Sequence, residues 1–558
     1  MKILIEGERY PIEVLKQLFL DPKFYQQEGA SGTILSVGYY YNRPQNIIIY
    51  LLPKVFMADG VTTVFGVAPC ELLDFGCSQT FKHKNKFLWV RRVSIYFYNS
   101  LLEFKKRCKD SSTLNSSLSY SLNTKLGNQE YSYLDLVLSF VNFHKKHKNF
   151  IAYRHSEQKT QDALRLNWGK ILRKSTSFFT KDGHPLYSIF KAKKRQVNKE
   201  EELLVYFFSI LHHLNSEQKL YVKIDGRYDL IAGSKFLLLQ KDGLARLRAI
   251  KYKYFSDTLK KMYRLCELYF STTDASSLRK PKDEFLSVAN YNLVFEDMTD
   301  KLFSDEASLY SGNASPSMKE LKSHPDGKIL DHIFDYQSLI DTSNIFYIGD
   351  SKYYKPDRLA GKLSQCKQFT YAKNVIQFNI DLLNSVGAIG YRPNIRYRDD
   401  KTEGYNITPN FFIYGFIGDY KNIDTPDLSE RGDVVRSYHF EDRLFDRDSL
   451  YVHQYMINFL FVLKSYTQLS GSRVIDFRGQ VKAMFRSNFL KFFNSEEKSS
   501  FQLFEYILSD ASDFLDENFR LLNGKCFETI DGKLIVAKHS NDSSLDCFLD
   551  KLSPLKLA

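Results

Sequence analysis

Two apolar segments, joined by the three polar residues DTS, constrain the fold of this chain more than any other feature. The first is LDHIFDYQSLI (330–340) and the second is NIFYIGDSKYY (344–354). Runs rich in Ile, Phe and Tyr with a short polar connection are typical of paired β-strands in a hairpin. The second run ends in a carboxylate and an amine two residues apart, Asp350 and Lys352. Such charges indicate either a solvated strand end or an active site.

Length and composition bound the class of protein. A chain of 558 residues is too long for one hydrophobic core, so we expect about two to four domains. Its 43% hydrophobic and 26% charged residues are ordinary for a soluble globular protein. The net charge of +13 suits a polyanionic partner, either nucleic acid or an anionic membrane surface. A protein that is merely basic is the alternative.

Membrane insertion and export are not expected. The most apolar stretch, residues 47–57, is interrupted by Pro53 and Lys54 and falls short of the ~20 residues that a membrane span needs. The N-terminal residues turn polar before any apolar region develops, which argues against a signal peptide. The 7 cysteines are scattered without a Cys-x-x-Cys pair, so neither a zinc ribbon nor a disulfide framework is indicated. We therefore expect a cytoplasmic protein.

Changes in composition predict four regions. Residues 1–130 carry short β-like runs separated by Gly, Pro and Asn, which predict a β-rich N-terminal domain for recognition or subunit contacts. Residues 131–280 are predicted to be mainly helical, and residues 281–475 to form a core of mixed helices and strands. Residues 476–558 are predicted to form a C-terminal helical region. The helical pattern that leads into it begins near residue 448 and continues to near residue 520, and residues 526–537 are predicted to form a terminal hairpin.

The predicted hairpin brings acidic groups together. Residues i and i+2 of a strand share a face, so Asp350 and Lys352 point the same way and Ser351 points opposite. If residues 341–343 close the hairpin, residues whose numbers sum to about 683 face each other. Asp331 then lies beside Lys352 and diagonal to Asp350.

This grouping has a chemical use. Two carboxylates and several waters suit Mg²⁺, with Mn²⁺ as a substitute. The metal neutralises phosphate charge and activates a bound water, and a neighbouring lysine orients that water or stabilises the transition state. The upstream segment YNLVFEDMTDKLF adds Glu296 beside the apolar face of a predicted helix. An ordinary solvated glutamate, and a chance acid-x-Lys match, are the alternatives.

The ordered set resembles the PD-(D/E)XK nuclease fold, with an acid on a helix, an acid opening a strand, Asp-x-Lys ending the next strand, and then a second helix. Within that fold it is most similar to the LlaJI-type restriction endonucleases and the related McrC nuclease subunits. GDSKYYK (349–355) is similar to their DAKYY strand, and VFEDM (294–298) to their Trp-Glu helix, with Phe295 in place of Trp. Segments 166–175 and 184–190 are similar to a motif that precedes the nuclease in those families.

The resemblance implies a fold, an activity and partners. The core would be α/β/α with a mixed central sheet, and the protein would be a Mg²⁺-dependent DNA endonuclease of a bacterial restriction system that defends against phage. Asp331, Asp350 and Glu296 would bind metal, and Lys352 would serve the attacking water. The substrate would be double-stranded DNA, and a McrB-like AAA+ NTPase would be the partner subunit, with an oligomer as one possible state.

Alternatives remain open for individual residues. Asp326, which follows Pro325 in a loop upstream, or Asp335, on the same face, could replace Asp331. Gln368 and Tyr371 could form an accessory pair like the Gln-x-x-x-Tyr of related nucleases, although here the spacing is one residue shorter. A plain amphipathic helix explains them as well. For the whole chain, the alternatives are a non-cleaving DNA-binding or assembly subunit with a nuclease fold, and an RNA-directed nuclease.

Overall fold

The protein is mixed α/β, as its sequence predicts. The computed structural model describes residues 2–74, 84–107, 114–117, 120–124, 127–147, 153–160, 166–188, 190–218, 222–224, 228–273, 283–304, 330–355, 358–384, 395–419, 421–437, 439–468 and 471–558. Within these ranges, no helix has the length and apolar content needed to cross a bilayer.

The strands and helices follow one another along the chain. The strands are β1 (Lys2–Ile5), β2 (Arg9–Pro11), β3 (Tyr25–Glu28), β4 (Ser31–Ile34), β5 (Val37–Asn42), β6 (Ile47–Leu52), β7 (Leu114–Ser117), β8 (Tyr120–Thr124), β9 (Gly127–Tyr131), β10 (Tyr153–Thr160), β11 (Ser177–Phe179), β12 (Pro185–Tyr187), β13 (Phe190–Val197), β14 (Asp283–Val288), β15 (His332–Gln337), β16 (Asn344–Lys352), β17 (Pro409–Phe416), β18 (Ser429–Glu430), β19 (Val435–Ser437), β20 (Leu450–Asn458), β21 (Phe501–Tyr506), β22 (Cys526–Glu528), β23 (Leu534–His539) and β24 (Leu552–Pro554). The α-helices are α1 (Ile12–Leu18), α2 (Lys84–Arg107), α3 (Tyr133–Lys146), α4 (Trp168–Lys174), α5 (Glu202–Gln218), α6 (Ser234–Ala249), α7 (Asp257–Thr273), α8 (Tyr291–Phe303), α9 (Lys362–Asn384), α10 (Phe459–Gln468), α11 (Gly471–Phe493), α12 (Glu496–Ser499) and α13 (Ala511–Leu522).

The chain divides into two compact units. The first comprises Arg43–Asn46 and Ser117–Glu284, and the second comprises Lys2–Asn42, Ile47–Ser116 and Phe285–Ala558. The first unit packs α5 against α3 and α7, and it also contains the antiparallel pair β10–β13. Helix α5 is buried along most of its length, which explains its nearly continuous apolar sequence. The division of the chain into four functional regions stays a prediction.

The N-terminal part of the second unit is rich in strands. A five-stranded sheet has the order β1-β6-β5-β14-β7, and a three-stranded sheet has the order β2-β4-β3. Strands β1 and β6 run parallel, and β5 runs antiparallel to β6. Their alternating apolar and aromatic residues pack with α1 in one core. The C-terminal ends of β1 and β6 lie side by side, which matters for the site described below.

A mixed sheet forms the centre of the second unit. Its order is β15-β16-β17-β20-β18, with β19 also paired to β20. Strands β16, β17 and β20 are parallel neighbours, while β15 is antiparallel to β16. Helix α8 packs on β15 and β16, and α9 packs on β16 and β20. Five consecutive residues of β16, Ile345–Gly349, are buried, as expected for an interior strand covered on both faces.

The close packing of β16 on β17 depends on a glycine. Gly349 stands opposite Phe411 in the parallel register. A Cβ atom built on Gly349 would lie 2.0 Å from the Phe411 ring, which is far inside van der Waals contact. Glycine at this position therefore lets the Phe411 ring fill the space directly before Asp350.

The hairpin forms, but its predicted register is wrong by two residues. His332 pairs with Gly349 and Gln337 with Asn344, so the residue before β15 stands opposite Asp350 rather than Lys352. The cause is a longer turn than the predicted three residues, because the Ser338 N–H donates to Ser343 O and the first strand already ends at Gln337. In the observed register, Asp331 therefore lies closer to Asp350 than the sequence predicts.

The predictions for the last part of the chain also need correction. Residues from about 448 were predicted to be helical, but Leu450–Asn458 forms β20 of the central sheet. The hairpin predicted over residues 526–537 is confirmed as the antiparallel pair β22–β23, but β21 and β24 extend it to a four-stranded sheet, β22-β23-β21-β24, within the region predicted to be helical. The aromatic and aliphatic residues of these strands pack with Phe489, Phe492 and Phe493 of α11. Apolar runs this short fit helix and strand periods equally well, so tertiary packing decides between them.

Candidate active site

An open cleft lies in the second unit, where β16 ends and α8 begins. It has a water-accessible volume of about 400 Å³, and Glu296, Asp350 and Lys352 are among the side chains that line it. Strand β16 supplies Asp350 and Lys352 from its last three residues, and α8 supplies Glu296 from its second turn. Three of the residues predicted from sequence therefore border one concave surface.

Asp350 and Lys352 form an ion pair along the same face of β16. Lys352 Nζ contacts Asp350 Oδ2, and each side chain is 13% exposed. The ammonium group also lies 5.1 Å from the centroid of the Phe412 ring on the neighbouring strand. Because the pair is largely shielded from water, its charges interact more strongly than an exposed pair would.

Asp331 lies directly before β15, across from Asp350. Its Oδ2 accepts a hydrogen bond from the backbone N–H of Ser351 at 2.9 Å. Burial raises the pKa of Asp331, and the charge of Asp350 and a hydrogen bond between the two carboxyl groups raise it further. The two carboxyl groups are thus close enough to share one proton.

Glu296 is half-buried on α8 and is influenced by both charges at the end of β16. Burial raises the pKa of Glu296 to about 7, and the charge of Asp350 adds to this, whereas the hydrogen bond from Asn292 and the charge of Lys352 oppose it. Asn292 Nδ2 donates to Glu296 Oε1 at 3.4 Å. The spacing of four residues places both side chains on one side of the helix.

A buried polar network supports these residues from behind, and sequence reasoning missed it. Ser351 Oγ lies 2.6 Å from both Thr299 Oγ1 of α8 and His332 Nε2 of β15. Thr299 in turn donates to Phe295 O at 2.7 Å. The alternation of faces along β16 explains the arrangement, since Ser351 points toward α8 while its two neighbours point away. The network fixes α8, β15 and β16 relative to one another.

The remaining candidates differ in their placement. Asp335 lies on β15 opposite Phe346, about 13 Å along the strand from Asp331. Asp326 lies outside the described residues. Gln368 is fully buried and donates to Ile348 O at 3.4 Å, so it contacts β16 rather than the cleft surface. Burial raises the pKa of Tyr371, and the charges of Asp350 and Asp331 raise it further, so its hydroxyl group lies within electrostatic reach of the two acids.

Three further residues near the site were not predicted. Glu6 and Lys54 line the same cleft, together with the Tyr353 side chain that follows Lys352. The Tyr353 hydroxyl contacts Glu6 Oε2 although 347 residues separate them in sequence. No pattern within a short window of sequence signals a contact over that distance.

The donor set fits a hard divalent cation that retains most of its water. Within the described part of the chain, no group of three or more His, Cys, Asp or Glu side chains is arranged to hold a metal ion. Asp331 and Asp350, however, form a close carboxylate pair. Mg²⁺ commonly binds to one or two carboxylates and keeps several waters, so this pair suits Mg²⁺ or Mn²⁺ better than a metal that needs a full protein cage.

Comparisons of the chain with protein-family models, with curated proteins and with solved structures found no match.

Proposed function

We propose that this chain is a metal-dependent DNA endonuclease with a PD-(D/E)XK core, similar to the LlaJI-type and McrC nucleases that its motifs resemble. One observation carries the proposal. Asp331, Asp350 and Lys352 meet at the end of β16, and Glu296 borders the same cleft. The succession of helix α8, strands β15 and β16 and helix α9 around these residues supports the proposal.

Each residue has a role in the proposal. Asp331 and Asp350 hold the cation through their paired carboxylates, and Glu296 contributes a third acidic group. Bound Mg²⁺ would neutralise phosphate charge and lower the pKa of a coordinated water. Lys352 keeps a positive charge within the cleft, where it orients the attacking water or stabilises the negative charge of the transition state. Ser351, Thr299 and His332 hold the elements that carry these groups.

The proposed substrate is double-stranded DNA, supported by the net charge of +13 over the whole chain. Basic side chains neutralise phosphates independently of base sequence. From the resemblance we further propose that the protein acts in bacterial restriction with a McrB-like AAA+ NTPase as its partner. Nucleotide hydrolysis would then belong to the partner, and the sequence of this chain has neither a GxxxxGK[ST] loop nor a Gly-rich dinucleotide fingerprint.

Plasmid cleavage tests the proposal. The purified chain, alone and with the products of its neighbouring genes, is incubated with supercoiled DNA and Mg²⁺ or Mn²⁺. We expect nicked or linear product, lost in EDTA and reduced at least ~100-fold in Asp350→Ala and Lys352→Ala. Cleavage that survives both substitutions would refute the site assignment.

The same assay separates the alternatives. A labelled RNA of matched sequence, cut faster than the DNA, would favour an RNA-directed nuclease. DNA binding without cleavage under every condition would favour a non-cleaving assembly subunit. The intact set of Asp331, Asp350 and Lys352 argues against that second function, because a degenerate nuclease core commonly loses one of these residues.

A further inference from the structure

The cleft has a second wall, formed by the N-terminal sheet of the second unit. Strands β1 and β6 are parallel, with Ile5 paired to Leu52, so the segments that follow the two strands leave the sheet at the same edge. The Glu6 N–H donates to Leu52 O at 2.9 Å, and Lys54 begins a short 3₁₀ helix two residues later. Glu6 and Lys54 therefore lie side by side, and both line the cleft.

Tyr353 connects this wall to the end of β16, the strand that carries Asp350 and Lys352. Its hydroxyl group donates to Glu6 Oε2 and accepts the backbone N–H of Lys54 at 3.1 Å. The Lys54 N–H also lies 3.3 Å from Glu6 Oε2. Tyr353 is only 6% exposed and follows Lys352 directly in the chain. The backbone of Lys54 is thus held by the residue next to the proposed catalytic lysine.

The Lys54 side chain is half-buried and oriented by an aromatic ring. Its Nζ lies 4.4 Å from the centroid of the Tyr353 ring, a distance at which the ring face attracts a cation. Among the residues that the structure describes, Lys54 has no carboxylate within ion-pair distance, in contrast to Lys352 and to Lys355, which pairs with Glu8 at 2.8 Å. Its ammonium charge remains available to an anion in the cleft.

We propose that Lys54 binds a backbone phosphate of the nucleic-acid substrate next to the phosphate that is cleaved. This inference rests on the proposed nuclease function and adds to it a substrate contact supplied by the N-terminal sheet. A lysine acts as a point charge for phosphate oxygens and fixes the position of a duplex without reading its sequence. Lys54 lies in the same cleft as Asp350 and Lys352, so a strand bound there is contacted at the cleaved phosphate and at one neighbouring phosphate.

A purely structural role is the competing explanation. Lys54 lies near Glu6. Burial raises the pKa of Glu6 overall, while the hydrogen bond from Tyr353 and the charge of Lys54 partly oppose that rise. A lysine that served only to balance Glu6 would change stability when replaced, but it would leave the salt dependence of DNA binding intact. The number of phosphate contacts sets that dependence.

Equilibrium binding of a fluorescent duplex of about 30 base pairs, with Ca²⁺ in place of Mg²⁺ and over a series of salt concentrations, distinguishes the two roles. For Lys54→Met we expect about 5- to 10-fold weaker binding and a salt slope reduced by about one. Lys54→Arg should retain both. Lys23→Met is the control, because Lys23 Nζ also lies over an aromatic ring, 3.8 Å from the Phe285 centroid, but pairs with Asp21 Oδ2 at 3.1 Å and does not line the cleft.

The outcomes separate this inference from the proposed function. A folded Lys54→Met protein with the wild-type salt slope would overturn the inference while leaving the nuclease proposal in place. If the melting temperature of Lys54→Met falls, the Lys54→Arg variant decides between the two roles. Weaker DNA binding and a reduced salt slope in a natively folded Lys54→Arg protein would also contradict a phosphate contact, because arginine keeps the positive charge. A wild-type protein that neither binds nor cleaves DNA would refute the proposed function and this inference together.

Discussion

The backbone N–H of Ser351 donates a hydrogen bond to Asp331 Oδ2 at 2.9 Å. This bond joins the residue between Asp350 and Lys352 to the acid that precedes β15. One carboxylate oxygen of Asp331 is thereby fixed, and the carboxyl group is held against Asp350. This contact accounts for the close approach of the two carboxyl groups in the proposed metal site and for the raised pKa of Asp331.

Asp331→Asn should change the pH dependence of stability in metal-free buffer. Burial and the charge of Asp350 raise the pKa of Asp331, so the folded protein retains a proton that the unfolded chain releases above about pH 4. The contribution of Asp331 to wild-type stability therefore falls as pH rises from about 4 toward its folded pKa. We expect the Asp331→Asn substitution to remove on the order of 2 kcal/mol of that decline between about pH 5 and pH 8, measured by urea unfolding. Parallel curves for the two proteins would contradict the shared-proton geometry.

Ser351→Ala should destabilise the protein without removing any proposed ligand. It deletes the hydroxyl group that lies 2.6 Å from Thr299 Oγ1 and from His332 Nε2. His332 Nε2 loses this partner, whereas Thr299 Oγ1 keeps its hydrogen bond to Phe295 O. Leaving a buried polar group without a partner costs about 1–3 kcal/mol, and urea denaturation measures this loss. Ser364→Ala is the control, because Ser364 has one long contact of 3.4 Å with the Tyr354 hydroxyl. Equal stability of the two variants would show that the network contributes nothing.

Gly349→Ala should disturb the end of β16. The new Cβ would lie 2.0 Å from the Phe411 ring, and overpacking of this kind costs about 1–3 kcal/mol. Phe411→Leu in the same chain should restore part of the loss, so a double-mutant cycle should give a favourable coupling between the two changes. Additive effects would mean that the Phe411 ring does not determine the requirement for glycine.

Tyr353→Phe should weaken the link between the N-terminal sheet and the end of β16. The substitution removes the hydroxyl group that donates to Glu6 and accepts from the Lys54 backbone. Because these groups are buried, we expect a loss of about 1–3 kcal/mol in unfolding free energy. Tyr354→Phe, at the next position, should have a smaller effect, since its hydroxyl group makes one long contact. A Tyr353→Phe protein as stable as Tyr354→Phe would exclude this link.

The sequence predicts much of the local structure around the site. The apolar run before Asp350 does form a strand, as expected for a short run rich in Ile, Phe and Tyr, and the segment that carries Glu296 forms a helix, as expected from apolar residues at helical spacing over 13 residues. The register of the hairpin was not predictable, since it depends on a turn that the Ser338 N–H closes onto Ser343 O. A two-residue difference in that turn changes the residue that faces Asp331.

Contacts over long sequence distances were not predictable either. Glu6 reaches Tyr353 across 347 residues, and His332 reaches Ser351 only because two strands pair in one particular register. Tertiary packing sets these contacts, and one sequence alone carries no local signal for them. Sequence patterns could indicate Asp350, Lys352 and Glu296, because each of these residues lies in a strand or helix that the neighbouring residues in the chain predict.

The single-turnover rate of DNA cleavage in Asp350→Asn, compared with Asp335→Asn, tests the central claim most directly. Both aspartates lie on the same face of the hairpin, but only Asp350 lines the cleft. With enzyme in excess and saturating Mg²⁺, the account predicts at least ~100-fold slower cleavage for Asp350→Asn and a near wild-type rate for Asp335→Asn. Equal rates for the two variants would contradict the assignment of this cleft as the site of metal-dependent cleavage.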